Sequence, residues 1–243
     1  MTDLVYPLGT GSILNNFELR MSIRSVEKYL TGYDKIYIIG ECPDWAQNVV
    51  HIPFVEKSTV GDFNIMQKIT KACETTEISD DFIFLNDDHY LLAPFTLPEF
   101  PYYYMGSLEE SYRTRPDGYG RRARNSMNYL KEKGLPTKHF DIHYPIIYNK
   151  SLFLQYVTNG PDWSKQHFII KSLYANSLKI EGEETKDFKR NELPVVGTKV
   201  FSSQPHIRAN VQRFLLEQFP NMSRYESIGI HKNEKREVVA SSI

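Results

Sequence analysis

Cysteine is scarce in this chain: 243 residues carry only Cys42 and Cys73. Two thiols far apart in sequence build no disulfide framework and show no metal-ligand spacing, so both read as reduced thiols. No apolar run is long enough to span a bilayer, and no signal peptide is evident, which leads to the expectation of a cytoplasmic protein without a membrane span. No internal repeat and no low-complexity segment interrupts the chain. Large charge imbalance is missing too. The net charge is −1, which argues against broad nonspecific affinity for nucleic acid. What remains is ordinary globular usage, 41% hydrophobic and 24% charged, with aromatic content high at 13%. The expected layout is one domain over residues 1–230, with a polar and flexible tail over 231–243.

Asp81-Phe82-Ile83-Phe84-Leu85 is a short apolar run that reads as a buried strand. Asn86-Asp87-Asp88 follows at its C-terminal end, where α/β sheets place their ligands. Adjacent carboxylates repel each other and lose hydration when partly buried. A divalent cation, Mg²⁺ or Mn²⁺, relieves both costs and can bridge to a diphosphate. The plainer alternative is a strand end followed by a solvated acidic turn.

Other elements alternate around this strand. Residues 15–30 form an amphipathic helix with Leu19, Ile23, Val26 and Leu30 on one face and Asn15 or Asn16 as cap. Strands are expected at 35–40 and 49–52, then a helix from Asp62 to Glu77 with Ile65, Ile69 and Ala72 or Cys73 facing inward. Such alternation predicts an α/β fold with a mostly parallel sheet flanked by helices.

The ordered set resembles the glycosyltransferase A-type fold, and within it the Stealth family of hexose-1-phosphate transferases. The resemblance is carried by residues 18–29, 35–39, Phe63-Asn64, residues 82–88, His143-Tyr144-Pro145 and residues 214–226. Leu4 to Ser12 departs from the family's Asp-rich opening, and the larger family insertions are missing. Transfer of a sugar thus stands beside transfer of a sugar phosphate, with a non-catalytic glycan- or nucleic-acid-binding protein as a third reading. The resemblance implies a nucleotide-sugar donor, UDP-linked by expectation, and a helical C-terminal part.

Candidate site residues follow from both lines of reasoning. Gly9, Thr10 and Gly11 would let backbone amides approach a phosphate, or simply make a tight strand–helix turn. Arg20 and Arg24, four apart, would clamp the diphosphate or pair with acids such as Glu27. Asn64, Asn86 and Asp87 complete the donor set. Asp88 and the late His206 are the metal candidates. Asp87, His143 and Asp187 are the catalytic candidates, with Asp187 otherwise part of a solvated loop and His143 otherwise structural. From Tyr112 to Lys138, eight basic residues stand against Asp117 and Glu132, a net +6. Residues 121–133 are expected to be helical, with Gly118 and Gly120 before the helix. Arg121, Arg122 and Arg124 would bind an anionic acceptor, a glycan or a hydroxylated DNA base, unless acidic neighbours balance this face.

Overall fold

The computed structural model describes all residues except 13, 59–60, 98–99, 116, 164–165 and 228–243. The expected tail at 231–243 lies outside the described residues. In chain order the first half comprises β1 (Thr2–Leu8), α1 (Phe17–Tyr29), β2 (Leu30–Thr31), β3 (Tyr33–Gly40), β4 (Val50–Ile52), α2 (Gly61–Glu74) and β5 (Asp81–Phe84). Next come β6 (His89–Leu91), β7 (Phe95–Thr96), β8 (Tyr103–Tyr104), α3 (Leu108–Thr114), α4 (Gly118–Glu132) and β9 (Ile146–Asn149). The rest is α5 (Lys150–Asn159), α6 (Ile170–Ser177), β10 (Glu183–Glu184), β11 (Lys189–Arg190), β12 (Val200–Ser203) and α7 (Ala209–Gln218).

The main sheet has the order β4-β3-β1-β5-β9, parallel except for β9, which runs antiparallel to β5. Its strands are apolar at successive positions because both faces are covered. Leu4, Tyr6, Leu8, Ile36, Ile38, Ile83 and Leu85 pack against Leu19, Ile23 and Val26 of α1. Val5, Tyr37, Ile39, Phe82 and Phe84 pack on the other face against Met66, Ile69, Ala72 and Cys73 of α2. Ile65, expected to point inward, is only partly buried; Met66 fills that place.

Several boundaries differ from the sequence expectation. Helix α2 ends at Glu74 rather than Glu77. Thr75 is β-branched, and its hydroxyl bonds back to the Lys71 carbonyl at 2.8 Å, which competes with the helical ladder. Helix α4 starts earlier than expected. Asp117 caps it through the Gly120 amide at 3.0 Å, so Gly118 and Gly120 lie inside its first turn. A Cβ at Gly120 would collide with the Arg115 carbonyl, which lets α3 and α4 meet in a close corner. At the end of β3, Gly40 has φ +121°, and a Cβ there would collide with the Leu8 carbonyl. Strands β1 and β3 therefore end side by side, at the edge of the site.

A smaller sheet, β11-β12-β6, continues from this edge. After the Asn86-Asp87-Asp88 turn the chain leaves the main sheet and pairs antiparallel with β12, His89 opposite Ser202. Behind it, α7 packs Val211 and Leu215 against Tyr90 and Phe201. None of the helices among the described residues is long and apolar enough to cross a membrane.

Candidate active site

Two adjoining cavities open at the C-terminal ends of β1 and β5. The larger, about 1070 Å³, is lined by Gly9, Gly11, Ser12, Glu18, Asn86, Asp87, Asp88, Lys189, Gln204 and His206, among others. The smaller, about 550 Å³, is lined by Asp62, Arg122, Asp141, His143 and Lys171 over an apolar floor that includes Phe84 and Tyr148. Asn86 and Ile65 belong to both walls, so the cavities meet at the end of β5.

In the larger cleft, Asp88 Oδ2 accepts from the Lys189 ammonium at 3.2 Å and from Ser202 Oγ at 3.0 Å. Asp88 Oδ1 is buried and has no hydrogen-bond partner. Burial, then the charges of Asp88 and Glu18, push the Asp87 carboxyl from its ordinary 3.8 up to about 7. The loop 9–12 borders the same cleft, although Thr10 is exposed and outside the lining. Neither Gly9 nor Gly11 has positive φ, so neither is needed for the turn itself; open space surrounds Gly11. Ser12 Oγ accepts from the Asn16 amide at 2.8 Å, where Asn15 and Asn16 adopt the left-handed conformation before α1.

Arg20 and Arg24 share a face, as their spacing predicts, but that face turns away from the cleft. Arg24 is buried, bonds both oxygens of Glu226 at 2.6 and 2.7 Å, and reaches the Phe219 carbonyl at 2.9 Å. Arg20 lies over the Trp45 ring and 3.7 Å from the same carboxylate. The diphosphate clamp expected of them is replaced by an anchor for the C-terminal segment. Asn64 is likewise spent on structure: its amide bonds Glu56 and both backbone groups of Ser58, and Glu56 in turn pairs with Lys68 at 2.5 Å.

In the smaller cavity, His143 Nδ1 is 2.8 Å from Asp187 Oδ2, and the His143 amide donates to Asp187 Oδ1 at 2.9 Å. Burial works to raise the Asp187 pKa, but the His143 hydrogen bonds and charge win and hold it below its ordinary value. Asp187 is thus not merely part of a solvated loop. The backbone around His143 is clamped. Tyr144 N–H bonds the Ile142 carbonyl at 2.7 Å, and the buried Lys171 ammonium bonds the Ile142 and Tyr144 carbonyls at 3.0 and 2.9 Å. Asp141, two residues before His143, accepts from Tyr119 at 2.9 Å, and the Tyr119 oxygen lies 2.7 Å from His139 Nε2.

Helix geometry divides the three arginines of α4. Arg121 and Arg124, three apart, are both exposed; Arg122, one residue round the turn, points inward to an ion pair with Asp62 at the smaller cavity. Acidic residues from outside the +6 stretch offset part of its charge. Arg113 and Lys131 meet Glu109, Arg115 meets Asp117, and Lys138 meets Glu181.

Glu18, Lys189, Ser202 and Lys171 were not identifiable as site residues from the sequence. Only Lys189 left a signal, two residues after Asp187 in an extended segment and so on the same side of the chain.

These features define a glycosyltransferase A-type fold. The structure is similar to the galactosyltransferase LgtC solved with donor and acceptor sugar analogs, with a TM-score of 0.50 and 12% identity over 91% of this chain and 96% of that one. An active-site mutant of LgtC gives the same TM-score at 11% identity, with the same coverage. No protein-family profile and no curated protein sequence matches the chain.

Proposed function

We propose that this protein is a glycosyltransferase that moves a sugar from a nucleotide-sugar donor to a hydroxyl acceptor. The observation that carries the reading is the meeting of two chemistries at one strand end. A cleft lined by paired carboxylates and a lysine adjoins a cavity that holds a histidine–carboxylate pair. The donor's diphosphate lies in the larger cleft, beside the 9–12 loop. The acceptor hydroxyl lies at His143. With Nδ1–H given to Asp187, the free Nε2 takes the hydroxyl proton as the oxygen bonds to the anomeric carbon. The bond from that carbon to the phosphate oxygen breaks, and its electron pair leaves with the nucleoside diphosphate. Lys189, already in the cleft, meets the charge that develops there.

The residues present also fit a divalent ion. Asp87 is a buried, destabilised carboxylate beside the charge of Asp88, and magnesium sites of this kind use one or two carboxylates completed by substrate phosphates. Asp87 and Asp88 would hold it, and it would neutralise the leaving diphosphate. His206 lines the same cleft, but no group of three or more such ligands is gathered among the described residues.

The second reading, favoured by the His143-Tyr144-Pro145 resemblance, is sugar-phosphate transfer, in which the same histidine activates a hydroxyl for attack on the β-phosphorus. The test is kinetic. His143→Gln should lower kcat by about 10²–10⁴-fold with donor affinity nearly unchanged, and Asp88→Asn should weaken donor use. Wild-type turnover in His143→Gln would remove the base from this reading.

A further inference from the structure

His89, directly after the Asn86-Asp87-Asp88 turn, is fully buried, yet half of its ring is unused. Nδ1 accepts from the Asn86 amide at 3.3 Å, so the ring proton sits on Nε2. That Nε2 has no hydrogen-bond partner, and 4.0 Å away lies Asp88 Oδ1, also buried and without one. A buried donor and a buried acceptor thus face each other across a gap too long for a hydrogen bond and too short to seat a bridging water.

The two sides differ in their freedom to move. His89 is fixed: its carbonyl accepts from Ser22 Oγ at 2.5 Å, its amide bonds the Asn86 carbonyl at 3.2 Å, and its backbone pairs with Ser202. Asp88 is held off by its other oxygen, on Lys189 and Ser202. Lys189 itself lines the cleft, where a diphosphate competes for its ammonium.

We propose that His89 is a positioning residue for Asp88, its Nε2–H taking up Asp88 Oδ1 when the donor's diphosphate draws Lys189 away from Oδ2. The assignment rests on the donor-cleft reading above. Lys189 and His89 hold the carboxylate in turn. The donor-bound orientation of Asp88 is then set by a neutral ring that does not compete for phosphate. Partners of this kind, one step removed from the ligand, change affinity by about 10–100-fold when lost.

The test uses the full chain with UDP and Mg²⁺ as the probe. Long-range proton–nitrogen NMR of the histidine rings should show His89 protonated at Nε2. On addition of UDP and Mg²⁺ its Nε2 proton should move downfield and exchange more slowly with water. His89→Leu should lose about 10–100-fold in calorimetric affinity for UDP with Mg²⁺, while His89→Gln, which keeps an N–H near the same place, should remain within about threefold of wild type. A proton on Nδ1, an unmoved resonance under saturating UDP, or wild-type affinity in His89→Leu would overturn the assignment and leave the donor cleft standing. Failure of the wild type to bind UDP or any other nucleoside diphosphate would overturn both. The wild-type spectrum decides the matter even if His89→Leu does not fold.

Discussion

At the scale of single residues, the candidate site holds a carboxylate that fold stability alone does not favour. Asp87 is the clearest case. Its pKa in the folded protein is raised, so between pH 3.8 and about 7 the folded protein keeps a proton that the unfolded chain has released. Stability therefore falls as pH rises through that window, and the whole penalty is present above it. Asp87→Asn should raise stability at pH 8 by about 1–3 kcal/mol, from ~1.4 kcal/mol per pKa unit less screening in an open cleft. The gain should vanish near pH 4. Urea unfolding at pH 4 and pH 8 measures it, and an equal effect at both pH values would show that Asp87 is not the strained group. Asp87 and Asp88 stood out beforehand as candidates because adjacent carboxylates at the end of an apolar strand invite a cation, a solvated acidic turn being the alternative. Lys189 left only the faint signal of its place two residues after Asp187, and its part in the cleft shows once β11 is set beside β12.

At the scale of elements, α1 and α4 show how a helix can be read from its period while the surroundings of its charged face cannot. The 3.6-residue period placed Leu19, Ile23 and Val26 in the core and put Arg20 and Arg24 on a shared face. It could not say what covers that face, because Glu226 comes from more than 190 residues further on. Arg24→Met should destabilise the protein by about 3–5 kcal/mol, since it strands a buried carboxylate. Arg24→Met with Glu226→Leu should cost much less than either change alone predicts. Urea midpoints for the four proteins of that cycle give the coupling, and simple additivity would contradict a dedicated pair. On α4, Arg122 lines the smaller cavity. Arg122→Gln should raise the acceptor KM, whereas Arg121→Gln with Arg124→Gln should leave both substrates' KM values within experimental scatter. The reverse pattern in steady-state kinetics would move acceptor binding to the outer face of the helix.

At the scale of the whole molecule, the order of strands and helices was readable because both faces of the main sheet are covered, which writes apolar runs such as Phe82-Ile83-Phe84-Leu85 into the chain. The second sheet was not readable. β6, β11 and β12 contribute only three, two and four residues, too few for a period to show, and they come from distant parts of the chain. That sheet nonetheless brings Ser202 and Lys189 to Asp88, and the loop leading into β11 brings Asp187 to His143. The central claim is that these two pairs serve one reaction, with the donor split at the bond between sugar and diphosphate. It is tested most directly by following a panel of nucleotide sugars with the purified protein and Mg²⁺ or Mn²⁺ by phosphorus NMR. At least one donor, UDP-linked, should be consumed with release of the nucleoside diphosphate, and Asp88→Asn should abolish that signal. Release of the nucleoside monophosphate, or no consumption of any donor with either metal, would contradict it.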